Sequence, residues 1–183
     1  MTYYGAKELA AAFRTVRGNT IKVAEDIPED KYGFSPAPGV RTIGQTLTHI
    51  AFGPKFNEQV NRVERRTSMV GFDFMKFMGQ WIAEADKPRT MDEIIAVLRK
   101  EGDDFAAWLE SLSEDFLGEV VTMPPGGHPA SRTRFDMLMS VKEHEMHHRA
   151  QLMLIERIIG ITPHLTREMQ ARVAQHAAAQ AKS

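Results

Sequence analysis

Three of the chain's seven histidines fall within five residues, in Glu143-His144-Glu145-Met146-His147-His148-Arg149-Ala150-Gln151-Leu152. On a helix, His144 and His148 stand one turn apart on one face. Two neutral imidazoles so placed can grip one divalent cation. They share a 3-4-3-4-3 stripe with Val141, Gln151, Ile155 and Ile158, so the sequence puts them on the core side of their helix. Buried imidazoles need partners, and a metal is one way to supply them. The plain alternative is a pair of histidines on a helix surface.

The cluster admits three chemical readings. His144-Glu145-Met146-His147-His148 is a literal HExxH, in which the two outer histidines bind zinc and Glu145 serves as the general base of a peptidase. The metzincin extension is absent, because Gln151 and Leu154 stand where Gly and His are needed. Glu168 lies at a distance suited to a gluzincin-like third ligand. Glu145 and His148 also form the ExxH of di-iron bundles, but no other histidine has a glutamate three residues before it. The third reading adds His49, which shares helical spacing with Phe52, Phe56, Val60 and Val63, to make a three-histidine mononuclear site with open coordination positions. A lone histidine on an apolar face is otherwise a satisfied core residue.

These residues need helices to position them. Leu9, Phe13, Val16, Thr20, Val23 and Ile27 repeat at bundle-seam spacing over residues 5–27, and Pro28 stops that helix. A Pro- and Gly-rich loop follows, pinned by Tyr32 and Phe34. Thr42 and Gln45 form a capping box for the helix of His49, which Pro54 should bend. Phe74, Phe77, Met78, Trp81 and Ile82 mark a short helix over about 72–84, either core or the wall of a pocket. A second capping box, Thr90 to Glu93, opens an amphipathic helix running to about 113. Residues 114–132 read as a long connection with a short extended pair near Val120–Met123 and a solvated His128. Thr133 caps the histidine helix, and Gly160 closes it before Pro163. A final Ala- and Gln-rich helix spans about 164–179. The chain thus reads as one all-α domain, 1–183, with four main helices in a core of about 5–160.

Composition narrows the function. Lys and Arg number 23 against 24 Asp and Glu, which provides no basic face for nucleic acid. There is no cysteine, so disulfides, thiolate ligands and cysteine nucleophiles are excluded. With no signal-peptide pattern and no apolar run of membrane-spanning length, a cytoplasmic protein with no membrane association is the expectation.

The P-x-P-G loop followed by Arg41-Thr-Ile-Gly-Gln-Thr-Leu-Thr-His49-Ile resembles the second-helix motif of the DinB/YfiT-like family, and His144-Glu-Met-His-His148-Arg-Ala-Gln151-Leu resembles its H-x-x-H-H-R-G-Q-L motif. Ala150 departs from the usual glycine. The resemblance covers about residues 5–160. It implies an up-down-down-up four-helix bundle, here with an extra short helix and a C-terminal helix, often as a homodimer. It also implies that His49, His144 and His148 ligate one divalent metal, which in different members is zinc, nickel or iron. Relatives include thiol-cofactor-dependent S-transferases and a maleylpyruvate isomerase. The expectation is therefore a metal-dependent transferase or hydrolase acting on a small-molecule substrate. A low-molecular-weight thiol would be supplied as cofactor, and His147, Gln151 and Glu145 are the candidates for further roles at the site. The rival expectation is a non-catalytic dimeric bundle with a structural or vestigial metal site.

Overall fold

The computed structural model describes residues 4–180. Helix α1 spans Ala6–Asp26 and α2 spans Ile43–Phe52; α3, Lys55–Glu58, runs into a π-turn at Gln59–Val63. Next come α4 (Phe74–Ala85), α5 (Met91–Glu110), α6 (Glu114–Gly118), β1 (Val120–Thr122), β2 (Ser131–Thr133), α7 (Arg134–Ile158) and α8 (His164–Gln180). The four long walls are α1, α2 with α3, α5 and α7, in an up-down-down-up bundle. The long connection carrying α4 lets α2 and α5 run in the same direction.

Local sequence sets the helix ends. Thr42, Thr90 and Thr133 each accept a hydrogen bond from the amide three residues on, at Gln45, Glu93 and Asp136. Gln45 and Glu93 reach back to complete capping boxes. Gly160 ends α7 with φ +85°, a left-handed conformation that glycine adopts without strain. Tyr32 is pinned as expected, its hydroxyl donating to the Ala24 carbonyl at 2.8 Å.

The core comes in two large apolar blocks with a polar layer between them, and a smaller third cluster of Val60, Met69, Val121 and Met137. One block takes Ile21, Val23 and Ala24 of α1 with Ile27 just past its end, the first turns of α5 and Leu152 and Ile155 of α7. The other takes Leu9 and Phe13, Phe105 and Leu109, and Leu138 and Val141. Between them Arg17, 4% exposed, reaches Glu145, 2% exposed. Its Nε donates to both carboxylate oxygens at 3.0 and 3.1 Å, and Nη2 donates to Oε2 at 2.9 Å. Nη1 donates to the Leu98 carbonyl at 2.7 Å and Nη2 to the Ile50 carbonyl at 3.3 Å. One side chain thus ties α1 to α2, α5 and α7. Gly102 of α5 makes room for it, since a Cβ there would lie 2.7 Å from Arg17 Cγ.

Several expectations are corrected. The helix of His49 is broken at Gly53-Pro54 rather than bent, because Pro54 has no N–H to offer the Ile50 carbonyl. Gly53 N and Arg17 serve that carbonyl instead. The stripe survives the break as far as Val60, which is fully buried, and is lost by the end of the π-turn, where Val63 is exposed. The 114–132 connection contains α6, capped by Ser113. Its extended pair is real, with Val121 opposite Arg132 in an antiparallel register. On α7 the histidine stripe is only partly buried: Val141 and Ile155 are in the core, His144 and His148 are half-buried, and Gln151 and Ile158 are exposed, while Glu145, Arg149, Leu152 and Glu156 complete the buried face. Arg149 is likewise buried, its Nη1 donating to the Val16 carbonyl at 3.1 Å.

Two predictions follow from the buried charges. Arg17→Met strands the Glu145 carboxylate and should cost about 3–5 kcal/mol in urea unfolding, while adding Glu145→Leu should restore part of that loss. Glu156 is fully buried with neither carboxylate oxygen hydrogen-bonded, and desolvation followed by repulsion from Asp26 pushes its pKa up to about 7. The folded state therefore holds a proton that the unfolded chain releases near pH 4–5, so this group erodes stability as pH rises from there through 7. Glu156→Gln should match wild type at pH 4.5 and exceed it by about 2–3 kcal/mol at pH 8.

Candidate metal centre

The break after α2 and the long α7 bring the site together. His49 sits near the end of α2, facing His144 and His148 on α7. His49 Nε2 and His144 Nε2 are 3.0 Å apart, and one nitrogen from each of the three rings falls within 4.8 Å of the others. The rings stand edge to face, with centroids 4.6–4.9 Å apart. Gly53 permits the approach, as a Cβ there would lie 3.1 Å from His144 Nδ1.

The three rings are half-buried, and that sets their charge. Desolvation, with Arg41 and the neighbouring imidazoles adding repulsion, lowers His49 to about 3. Desolvation and the charges of His148, His147 and Arg41 lower His144 to about 4. His148 is lowered by desolvation too, with Gln151 pulling the other way. All three are therefore neutral bases at pH 7, the form a metal takes.

Gln151 organises the exposed flank. Its side-chain carbonyl accepts from His148 Nδ1 at 2.8 Å, and its amide pairs with His147 Nε2 at 3.1 Å. The first contact puts the His148 proton on Nδ1 and leaves Nε2 bare toward the cluster, an outer-shell arrangement common around metal-bound histidine. The donor set is three imidazoles with no carboxylate among them, which suits zinc, nickel or iron.

Sequence reasoning placed His49, His144 and His148 on helices, and the fold brings them together. Glu145 is a correction: as a general base it would need a free carboxylate at the histidines, and both its oxygens are held by Arg17 in the core. Glu168 pairs with Lys22 at 3.1 Å on the exposed face, so the third partner of the HxxxH pair is His49. The aromatic stripe of α4 proves to be a wall rather than core, with none of its residues buried. With Phe52 and Phe56 it encloses a cavity of about 280 Å³ that His49, His144 and Arg41 also line. Sequence reasoning missed Arg41 and Gly53 as site residues. Pro54 was the available signal for Gly53, since a break there opens the backbone beside His144.

A family model described as the DinB superfamily matches residues 12–152. No curated protein matches the chain. Two solved structures from Bacillus subtilis are similar to it. A DinB-like protein, YjoA, is 21% identical over 85% of this chain and 93% of that one, with a TM-score of 0.62. YfiT, described as a probable metal-dependent hydrolase with an unusual four-helix bundle topology, is 14% identical over 88% of this chain and 91% of that one, with a TM-score of 0.66. At these identities the likeness is one of fold.

Gln151→Ala removes the acceptor that fixes His148. In zinc titrations against a chromophoric chelator it should weaken binding by about 10–100-fold while the thermal midpoint of the metal-free protein stays near wild type.

Proposed function

The chain belongs to the DinB superfamily, and from that membership we propose that it is a metal-dependent enzyme acting on a small molecule through an open three-histidine site. The observation that supports this most is the convergence of three neutral imidazoles, two of which, His49 and His144, line an apolar cavity. His49, His144 and His148 would hold one divalent ion, zinc, nickel or iron. Bound there, the ion supplies Lewis acidity toward an oxygen or thiol of a small molecule. Three neutral ligands leave its charge uncompensated and its remaining positions open to substrate.

The chain's own residues do the rest. Gln151 orients His148, and His147 anchors the Gln151 amide from the solvent side. Glu145 acts through Arg17, holding α7 in register so that His144, its neighbour in sequence, meets His49. The α4 wall supplies the aromatic side of the cavity against which a substrate would pack. We favour hydrolysis, in line with the description of YfiT, over transfer to a low-molecular-weight thiol; with no cysteine in the chain, the thiol would have to be brought in as a cofactor. We also read the protein as a homodimer: Met146, Leu154 and Ile158 of α7 and Met169 and Val173 of α8 leave apolar surface exposed for a second copy.

Elemental mass spectrometry of untagged protein tests the centre. About one metal per chain is expected in wild type, with loss in each of His49→Ala, His144→Ala and His148→Ala. Retention in the His49 variant would remove His49 from the ligand set and leave a two-histidine site on α7, and no metal even after reconstitution would remove the enzyme proposal.

A further inference from the structure

The cavity beside the histidines has a chemical character of its own. Phe52, Phe56, Phe77 and Trp81 give it aromatic sides, and Trp81 packs on Phe52 with ring centroids 5.4 Å apart. Arg41 lines the same space as His49 and His144, and its charge acts on all three histidines. Among the described residues no carboxylate lies within 4.0 Å of the Arg41 guanidinium. Lys55, the other cation on the lining, is already committed, 2.9 Å from Glu58 and paired also with Glu101. Among the described residues Asp86 is the one carboxylate on the lining, and it makes no ion pair with Arg41. A free guanidinium beside neutral imidazoles gives this end of the cavity a positive field, and a planar fork of donors matches a carboxylate. The small volume and aromatic walls suit a compact ring better than a long chain, and one arginine suits a monoanion better than a multiply charged phosphate.

We propose that this cavity binds small arylalkanoates, the ring against α4 and the carboxylate on Arg41 beside the histidines. The proposal deepens the metal-enzyme reading and shares its site, but the Arg41 contact does not need the metal. A bound substrate would then present its carboxylate end, or the bond next to it, to the histidine centre.

Calorimetric titration with 4-phenylbutanoate and its neutral analogue 4-phenylbutan-1-ol separates the parts, run on both metal-stripped and zinc-loaded protein. In stripped wild type the acid should bind about tenfold or more tightly than the alcohol. Arg41→Gln should erase that preference and leave the alcohol unchanged, and Asp86→Asn should strengthen the acid alone. Equal binding of acid and alcohol in wild type would overturn the role of Arg41, as would a preference for the acid that survives Arg41→Gln. A preference present only with zinc would assign the carboxylate to the metal and overturn it too. Binding of neither ligand would overturn the cavity assignment. Failure of the metal reading shows instead as absent zinc uptake, with the acid preference in stripped protein intact.

Discussion

The ion pair between Arg17 and Glu145 lies at the centre of the bundle, where a polar layer interrupts two apolar blocks. Burying two charges costs several kcal/mol per ion, and only close multiple hydrogen bonding repays it. Here the guanidinium spends its donors on one carboxylate and two backbone carbonyls from different helices. The carbonyl of Ile50 is available because Pro54 cannot serve it, and the space on α5 is available because residue 102 is glycine. An apolar core tolerates sliding of one helix along another; this layer does not, because a shift of one turn would leave a charge unpaired. It therefore fixes the register of α2 against α7, and the histidines on those two helices inherit that register.

Register is what the candidate centre needs. His49 and His144 belong to different helices, and their Nε2 atoms come within 3.0 Å. Their neighbours in sequence, Ile50 and Glu145, are the ones Arg17 binds. The polar layer and the imidazole cluster are consecutive residues on the same two helices, one facing inward and the other facing the cavity. Membership of the DinB superfamily fits this division, since the fold supplies the helices and the site rides on them.

Much of this was legible in the sequence because it depends on local chemistry. The threonine caps, the proline stops, the Gly160 terminus and the seam of α1 follow from residue type and spacing, and the structure has each. The histidine motifs could be paired because both lie on well-marked helices. Burial on α7 was misread for a physical reason. Hydrophobic periodicity assumes that core positions are apolar, and on this helix Glu145, Arg149 and Glu156 are core positions satisfied or stranded by partners far away in sequence. The pattern then moved to the next apolar stripe and took the cavity-facing histidines along with it. Arg41 was invisible as a site residue because the cavity it lines exists only once α4 has folded back, a tertiary fact with no local signature.

The wall made by α4 has a further consequence. None of its residues is buried, it packs against α2, and the two apolar blocks and the polar layer are complete without it. Its side chains can therefore be exchanged with little penalty to folding, while those of α2 and α7 cannot. Substrate preference and metal chemistry are mechanically separate in this bundle, so a lineage can change what it accepts by mutating one short helix and keep the same imidazole centre throughout.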